Sequence, residues 1–517
     1  MKILPALLAG LLLTSPSIFP AFAADQAGAA HAGQAGIDWR KDNNVDAAFA
    51  LAKASNKPLF LYWGAVWCPP CNQVKATIFN RQEFIEKSRH FIPVYLDGDS
   101  PGAQKFGAQF KVRGYPTMIL FKPDGSEITR LPGEVDAERY LQVLTLALNT
   151  SLSVQDTLKV ALAGGKNLKE QDWSLLADYS WDDPEQKLVN GKDVPATLLR
   201  LSELSPAGAN ATRLYLRALY AAAGAKPGQT VPAPDKAVAS DKLVKALSDA
   251  RLARDNMDLV TGAAAELTEY MTPPKSEARN KLVKAWNAAL VRLADDATIS
   301  KTDRLGAIGA QVALASLDNA KPDAALQKEV QKRVALIEQA TTDAYERQSV
   351  VNTAAHALGD AGLLDDSDAL LKAELKRSHS PYYFMSTLGA NAKKRGDKAA
   401  AANWYEQAYN AAKGPATRLQ WGSSYVSNLV DLAPAEEARI EKAVHSVLLE
   451  LSRVENAFYE RNRAYLDKMG KKLNEWNKDG KHQAAYQKVR GQLEGICAKL
   501  PVNDPQKAAC QGVLAKS

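Results

Sequence analysis

Two cysteines two residues apart, Cys68 and Cys71, stand in the stretch Trp67-Cys68-Pro69-Pro70-Cys71. Four uses of that spacing have to be weighed. Half a zinc site needs a second ligand pair, and neither Cys497 with Cys510 nor the six scattered histidines supplies one. Covalent haem attachment needs a histidine directly after the second cysteine, and this chain has Asn72 there. Thiol–disulfide exchange needs a thiolate that attacks and a second thiol close enough to resolve the mixed disulfide. At a helix start, two intervening residues bring both sulfurs within reach, and first-turn N–H groups with the helix dipole stabilise a thiolate. A purely structural bridge is the fourth use, and spacing alone leaves it open.

The second pair differs. Cys497 and Cys510 bracket Pro501-Val502-Asn503-Asp504-Pro505, a turn between two short helical segments. The expectation is a structural disulfide that staples them, contributing on the order of 3 kcal/mol by loop entropy; the alternative is a second redox pair that exchanges with Cys68. An even cysteine count suits an oxidising compartment.

The elements that must position Cys68 alternate in type. Asp46 to Ala54 has helical spacing, Leu59-Phe60-Leu61-Tyr62-Trp63 reads as a buried strand, and Gln73 to Asn80 as a helix. A helix over Gln82 to Lys87, a strand over Phe91 to Leu96 and a helix near Ala103 to Phe110 follow. Thr117 to Phe121 and Glu127 to Arg130 are two strands joined by Pro123-Asp124-Gly125, a turn-forming triplet, and Glu134 to Leu148 closes the unit as an amphipathic helix. The pattern is an α/β sheet domain with mixed strand directions.

A buried strand leading to Trp67-Cys68-Pro69-Pro70-Cys71, then Gly114-Tyr115-Pro116-Thr117 before a strand, then Gly133 after the hairpin, resembles the thioredoxin family. Within that family the chain is similar to exported members, the TlpA type and the C-terminal domain of the DsbD-type reductase, from Ile37 to Leu148. The resemblance implies that Cys68 is the exposed nucleophile and Cys71 the shielded resolving thiol. Pro69 and Pro70 then lie in the first helical turn, where a missing N–H costs little, and Trp67 covers the site. It also implies a cis peptide bond at Pro116, with Tyr115 offering backbone groups to an extended peptide. One departure matters: where the family has a buried acid, six residues before the first cysteine, this chain has Tyr62. With an ordinary pKa near 10, tyrosine is a poor base at neutral pH.

Several residues invite a functional reading and have a plainer one. His90 and His356 fall in apolar surroundings, as core or boundary histidines; Phe60, Tyr62 and Trp63 read as sheet core; Lys75 reads as a solvated helix residue.

Lys2, an apolar run from Ile3 to Leu13 and Ala21-Phe22-Ala23 form the three parts of a secretory signal, with cleavage expected after Ala23. Pro16 and Pro20 interrupt the run where a membrane anchor would continue. Residues 24–36 read as a flexible leader, 37–149 as the thioredoxin-like domain and 150–517 as an all-α domain. That last region is Ala-, Leu-, Lys- and Glu-rich, with Ala401, Tyr405 and Ala408 as one helical stripe. Gly362 and Gly396, Leu371 and Tyr405, and Leu358 and Ala392 each lie 34 residues apart, the period of tetratricopeptide helix pairs. The region is thus expected to be an α-solenoid, with a helical bundle as the alternative.

The 65 basic and 58 acidic residues, net +7, are interleaved throughout, which gives no nucleic-acid stripe. No cofactor and no metal are implied. The expected function is a periplasmic thiol–disulfide oxidoreductase, a reductase by preference, acting on protein or peptide disulfides and recycled by a membrane electron-transfer partner of the DsbD type. The alternative is an exported helical-repeat scaffold in which the redox domain is minor or structural.

Overall fold

The computed structural model describes residues 36–515 apart from 41–43, 113, 132–135, 151, 183–187, 226–230, 233 and 455. The signal-like segment, nearly all of the leader and Gly133 lie outside the described residues.

After a first helix, α1 (Val45–Ser55), capped by the Asn44 side chain, the chain enters the central strand β1 (Leu59–Gly64). Successive strand side chains point to opposite faces, and β1 uses both. Phe60 and Tyr62 join one apolar cluster with Phe79, Phe84 and Tyr140, while Leu59, Leu61 and Trp63 join the other with Val45 and Ala52. Every residue of β1 is buried, so it reads as a continuous apolar run. The sheet order is β2-β1-β3-β4, with β2 (Ile92–Asp97) parallel to β1, β3 (Thr117–Phe121) antiparallel to β1, and β4 (Glu127–Leu131) antiparallel to β3. Helices α2 (Pro69–Val74), α3 (Gln82–Ser88), α4 (Ala103–Phe110) and α5 (Ala137–Asn149) complete the layers. Between α2 and Asn80, where one continuous helix is expected, Lys75–Phe79 widens into a π-turn.

Beyond residue 150 the described residues hold helices and no strand. The 34-residue offsets mark equivalent places in two successive helical hairpins. Gly362 and Gly396 both turn the chain with positive φ, and Leu358, Ala392, Leu371 and Tyr405 are all buried. Cys497 and Cys510 are bonded to each other, joining helix Gln483–Ala498 to helix Pro505–Gly512.

The helical region grips the sheet domain from several sides. Helix Ala344–Asp360 packs on α2, and helix Glu460–Trp476 packs on α4. At α5, Arg139 pairs with buried Asp178 (2.6 Å), which also pairs with Arg213 (2.7 Å), and Arg213 pairs with Asp258 (2.9 Å). Each of these groups has an opposite charge within salt-bridge distance, which offsets the cost of burying it.

Candidate active site

Cys68 is the N-cap of α2, with Pro69 and Pro70 as its first two residues. Proline is suited to that turn because its missing N–H has no helical partner to lose. The Cys68 sulfur accepts the Cys71 N–H at 3.1 Å, and the two sulfurs form a disulfide with Cα atoms 5.2 Å apart. Asn72 ties the approach loop to the helix, donating its amide to the Val66 and Cys68 carbonyls (2.9 and 3.0 Å). The Tyr115–Pro116 bond is cis. The Tyr115 ring lies against Trp63 and Trp67, with Gln104 donating to its hydroxyl at 3.3 Å.

The thiolate-stabilising geometry is therefore present: a sulfur at the positive end of a helix with a backbone N–H aimed at it. Tyr62 is fully buried, and its hydroxyl has no hydrogen-bond partner. Burial, with the nearby Asp97 charge adding, pushes its pKa well above the ordinary phenol value, so it holds its proton.

Three expectations are corrected here. Lys75 is only 4 % exposed, and its ammonium has no hydrogen-bond partner; it lies 5.5 Å from the centre of the Tyr95 ring and 5.8 Å from that of Tyr345. Burial lowers its pKa to about 8, against the opposing pull of Asp97. The residue is buried because helix Ala344–Asp360 covers the face of α2 that would otherwise meet water. His90 and His356, expected at the core or its boundary, are exposed. The third correction concerns access: Cys68 is 2 % exposed and Cys71 0 %, and Trp67 is buried with them rather than capping an open face.

What buries them is the helical region. Ala65, Trp67, Cys68 and Cys71 belong to one apolar cluster with Tyr382, Tyr405 and Trp421. Trp67 stacks on Tyr383 and meets Trp421 edge-on. The Arg461 guanidinium lies over the rings of Trp67 and Tyr115, at 5.7 and 4.5 Å. His379 donates to the Val66 carbonyl at 3.0 Å, and Gln73 donates to Ser300 and Asp303 (3.2 and 3.0 Å).

The tightest polar contact joins Trp67, Asp99 and Thr417. Trp67 Nε1 donates to the Thr417 hydroxyl at 2.7 Å, and that hydroxyl donates to Asp99 at 2.5 Å; the Thr417 N–H donates to the other Asp99 oxygen at 2.8 Å. Thr417 is the third residue of helix Pro415–Leu432, whose N-cap is Gly414 and which has no capping side chain of its own. Asp99 therefore caps this helix from the other domain, satisfying an N–H that no intrahelical carbonyl can reach. Gly414 makes the approach feasible: its φ is +92°, and a methyl group there would sit 2.3 Å from the Asp99 carboxyl carbon. Burial and the neighbouring Asp97 raise the Asp99 pKa to about 6, with the hydrogen bonds from Thr417 opposing the rise. Sequence reasoning missed Asp99, Thr417, His379 and Arg461. The one local signal was Gly414-Pro415, a helix start lacking a capping side chain.

Among the described residues no group of histidine, cysteine, aspartate and glutamate could hold a metal ion.

Residues 45–148 match the family model described as a thioredoxin-like domain. The thiol:disulfide interchange protein DsbD of Pseudomonas fluorescens is 31% identical over 102 residues, covering 19% of this chain and 18% of that protein. The chain thus spans under a fifth of that relative's length. The thioredoxin of Mycolicibacterium smegmatis is 32% identical over 94 residues, which are 18% of this chain and 81% of the thioredoxin. A solved structure described as DsbH oxidoreductase aligns with 27% of this chain and 94% of its own, at 21% identity and a TM-score of 0.20. With a thioredoxin 32% identical and matched over four-fifths of its length, and the family model matched by residues 45–148, which carry Cys68, Cys71 and Pro116, the chain belongs through that segment to the thioredoxin family.

Proposed function

We propose that this chain is an exported thiol–disulfide oxidoreductase that works as a reductase in the periplasm. The observation that carries the reading is Cys68 at the N-cap of α2, with its sulfur on the Cys71 N–H and the Tyr115–Pro116 loop beside it. In the reduced protein the Cys68 thiolate attacks one sulfur of a client disulfide. The client S–S bond breaks, one client sulfur leaves as a thiolate, and a mixed disulfide to Cys68 remains. The Cys71 thiol gives up its proton and attacks the Cys68 sulfur, so that the second client sulfur leaves and Cys68–Cys71 closes. Two electrons have passed to the client, and a dithiol donor must restore them; a membrane partner of the DsbD type is the candidate donor.

Export rests on the secretory pattern at residues 1–23. No helix of the described residues is long and apolar enough to cross a membrane. The division at about residue 150 assigns redox chemistry to the first part and client selection to the second. Cys497–Cys510 is assigned a structural role.

Dithiothreitol-driven insulin reduction by the wild type and its loss in Cys68→Ser is the expected pattern; equal turnover in both removes the reading. A second reading, a scaffold in which the bridge is structural, is favoured by the burial of both sulfurs. The potential of Cys68–Cys71 separates the two. A value near about −270 mV marks a reductase, and one below about −300 mV with no exchange marks a structural bridge.

A further inference from the structure

At the rim of the redox pair two polar groups face the helical region: the Trp67 indole N–H and the Asp99 carboxylate. They come from different loops of the sheet domain, the one before α2 and the one after β2, beside Tyr115. A single residue satisfies both, since Thr417 accepts from Trp67 and donates its N–H and hydroxyl to Asp99. An extended client segment offers the same complement, because each backbone unit carries one donor N–H and one acceptor carbonyl. The N–H suits Asp99, and the carbonyl suits the indole.

We propose that the first turn of helix Pro415–Leu432 is an internal occupant of the client site, and that Asp99 and the Trp67 indole are the groups a client backbone takes over when that turn lifts. This rests on the reading of Cys68 as the nucleophile. Three observations carry it. Cys68 is 2 % exposed, inside an apolar cluster that includes Trp421, one turn further along the same helix, so no client reaches its sulfur unless this part of the helical region moves. At its first turn the occupant meets the sheet domain through the Thr417 hydrogen bonds, which water or a client can replace, whereas the contact at α5 is held by the buried Arg139–Asp178–Arg213 chain. The occupant's own helix has no cap except Asp99, with Gly414 leaving the room that this carboxylate needs. Departure of the turn therefore leaves the Asp99 carboxylate and the Trp67 indole N–H without their Thr417 partner, and a client segment satisfies both again. An internal competitor lowers the fraction of competent molecules and raises the apparent client constant by that fraction.

The test uses the full chain, reduced and freed of reductant, with two probes. Iodoacetamide trapping of Cys68, read by peptide mass mapping, reports whether the sulfur is covered. Insulin reduction driven by dithiothreitol reports client KM and kcat. Thr417→Val removes the hydroxyl at nearly constant size. It is expected to speed Cys68 alkylation and lower the insulin KM, each by roughly tenfold, the equivalent of one lost charge-assisted hydrogen bond. Asp99→Ala is expected to speed alkylation as much but to leave KM no lower than in the wild type, because the client has lost its acceptor. Asp99→Asn keeps an acceptor oxygen and should recover part of that KM. Unchanged alkylation in Thr417→Val and Asp99→Ala, with unfolding profiles like the wild type, overturns the occupancy. A KM in Asp99→Ala that falls as far as in Thr417→Val overturns client recognition by Asp99. Faster alkylation with no insulin turnover in any variant upholds the cover and removes the exchange reading, so the two failures are distinguishable.

Discussion

Asp99, in the loop after β2, accepts both the backbone N–H and the hydroxyl of Thr417, 318 residues further along the chain. A carboxylate of one domain thereby completes the N-terminus of a helix in the other, and the same threonine takes the indole N–H of Trp67, the residue before Cys68. The contact is local in space and depends on both domains being folded.

Gly414 is the position most exposed to test. Its φ of +92° and ψ of 146° lie where side chains other than glycine are strained, and an added methyl group collides with Asp99. Gly414→Ala is expected to loosen the seam and cost about 1–3 kcal/mol, read as a lower urea midpoint. An unchanged midpoint would show that the helix start adapts freely.

Lys75 should leave a signature in alkaline stability. Its pKa falls from the usual lysine value to about 8 on folding, so between about pH 8 and 10.5 the unfolded chain binds the extra proton. Stability therefore rises with pH across that window. At pH 7 the buried ammonium costs on the order of 3 kcal/mol. Lys75→Met is expected to be more stable than wild type at pH 7, with the difference shrinking toward pH 10. Urea unfolding at pH 7, 8.5 and 9.5 checks the slope, and a pH-independent difference would contradict it.

Asp99 and Asp303 both bridge the seam, and burial raises each to a pKa of about 6. A carboxyl whose folded pKa is raised binds its proton more tightly in the folded state. Its contribution is thus fully present below about pH 4 and declines as pH rises to about 6. Replacing both by asparagine should flatten that part of the stability profile and leave pH 6.5–8 parallel to wild type. Thermal unfolding between pH 4 and 8 measures this.

Removing the C-terminal bridge separates the two cysteine pairs. Cys497→Ala/Cys510→Ala is expected to lower stability by about 3 kcal/mol by loop entropy and to leave insulin turnover at the wild-type rate. Lost turnover with intact folding would mean that Cys497 and Cys510 take part in exchange.

The sequence by itself determined what is local. Trp67-Cys68-Pro69-Pro70-Cys71 announces a helix start that holds two sulfurs together, and Tyr115-Pro116 marks a loop that returns beside it. The apolar run Leu59–Trp63 required a strand buried on both faces, and the 34-residue offsets marked equivalent places in two helical hairpins. These signals survive in one dimension because caps, turns and side-chain periods act within a few residues. Only the tertiary structure decided that Lys75 is buried, that Cys68 is covered, and that Thr417 stands between Trp67 and Asp99. Threonine, aspartate and lysine are residue types that usually face water, and nothing near them in sequence says otherwise. Their burial is set by a second domain closing over the first, and the residues that meet there are brought together by the fold, not by their spacing.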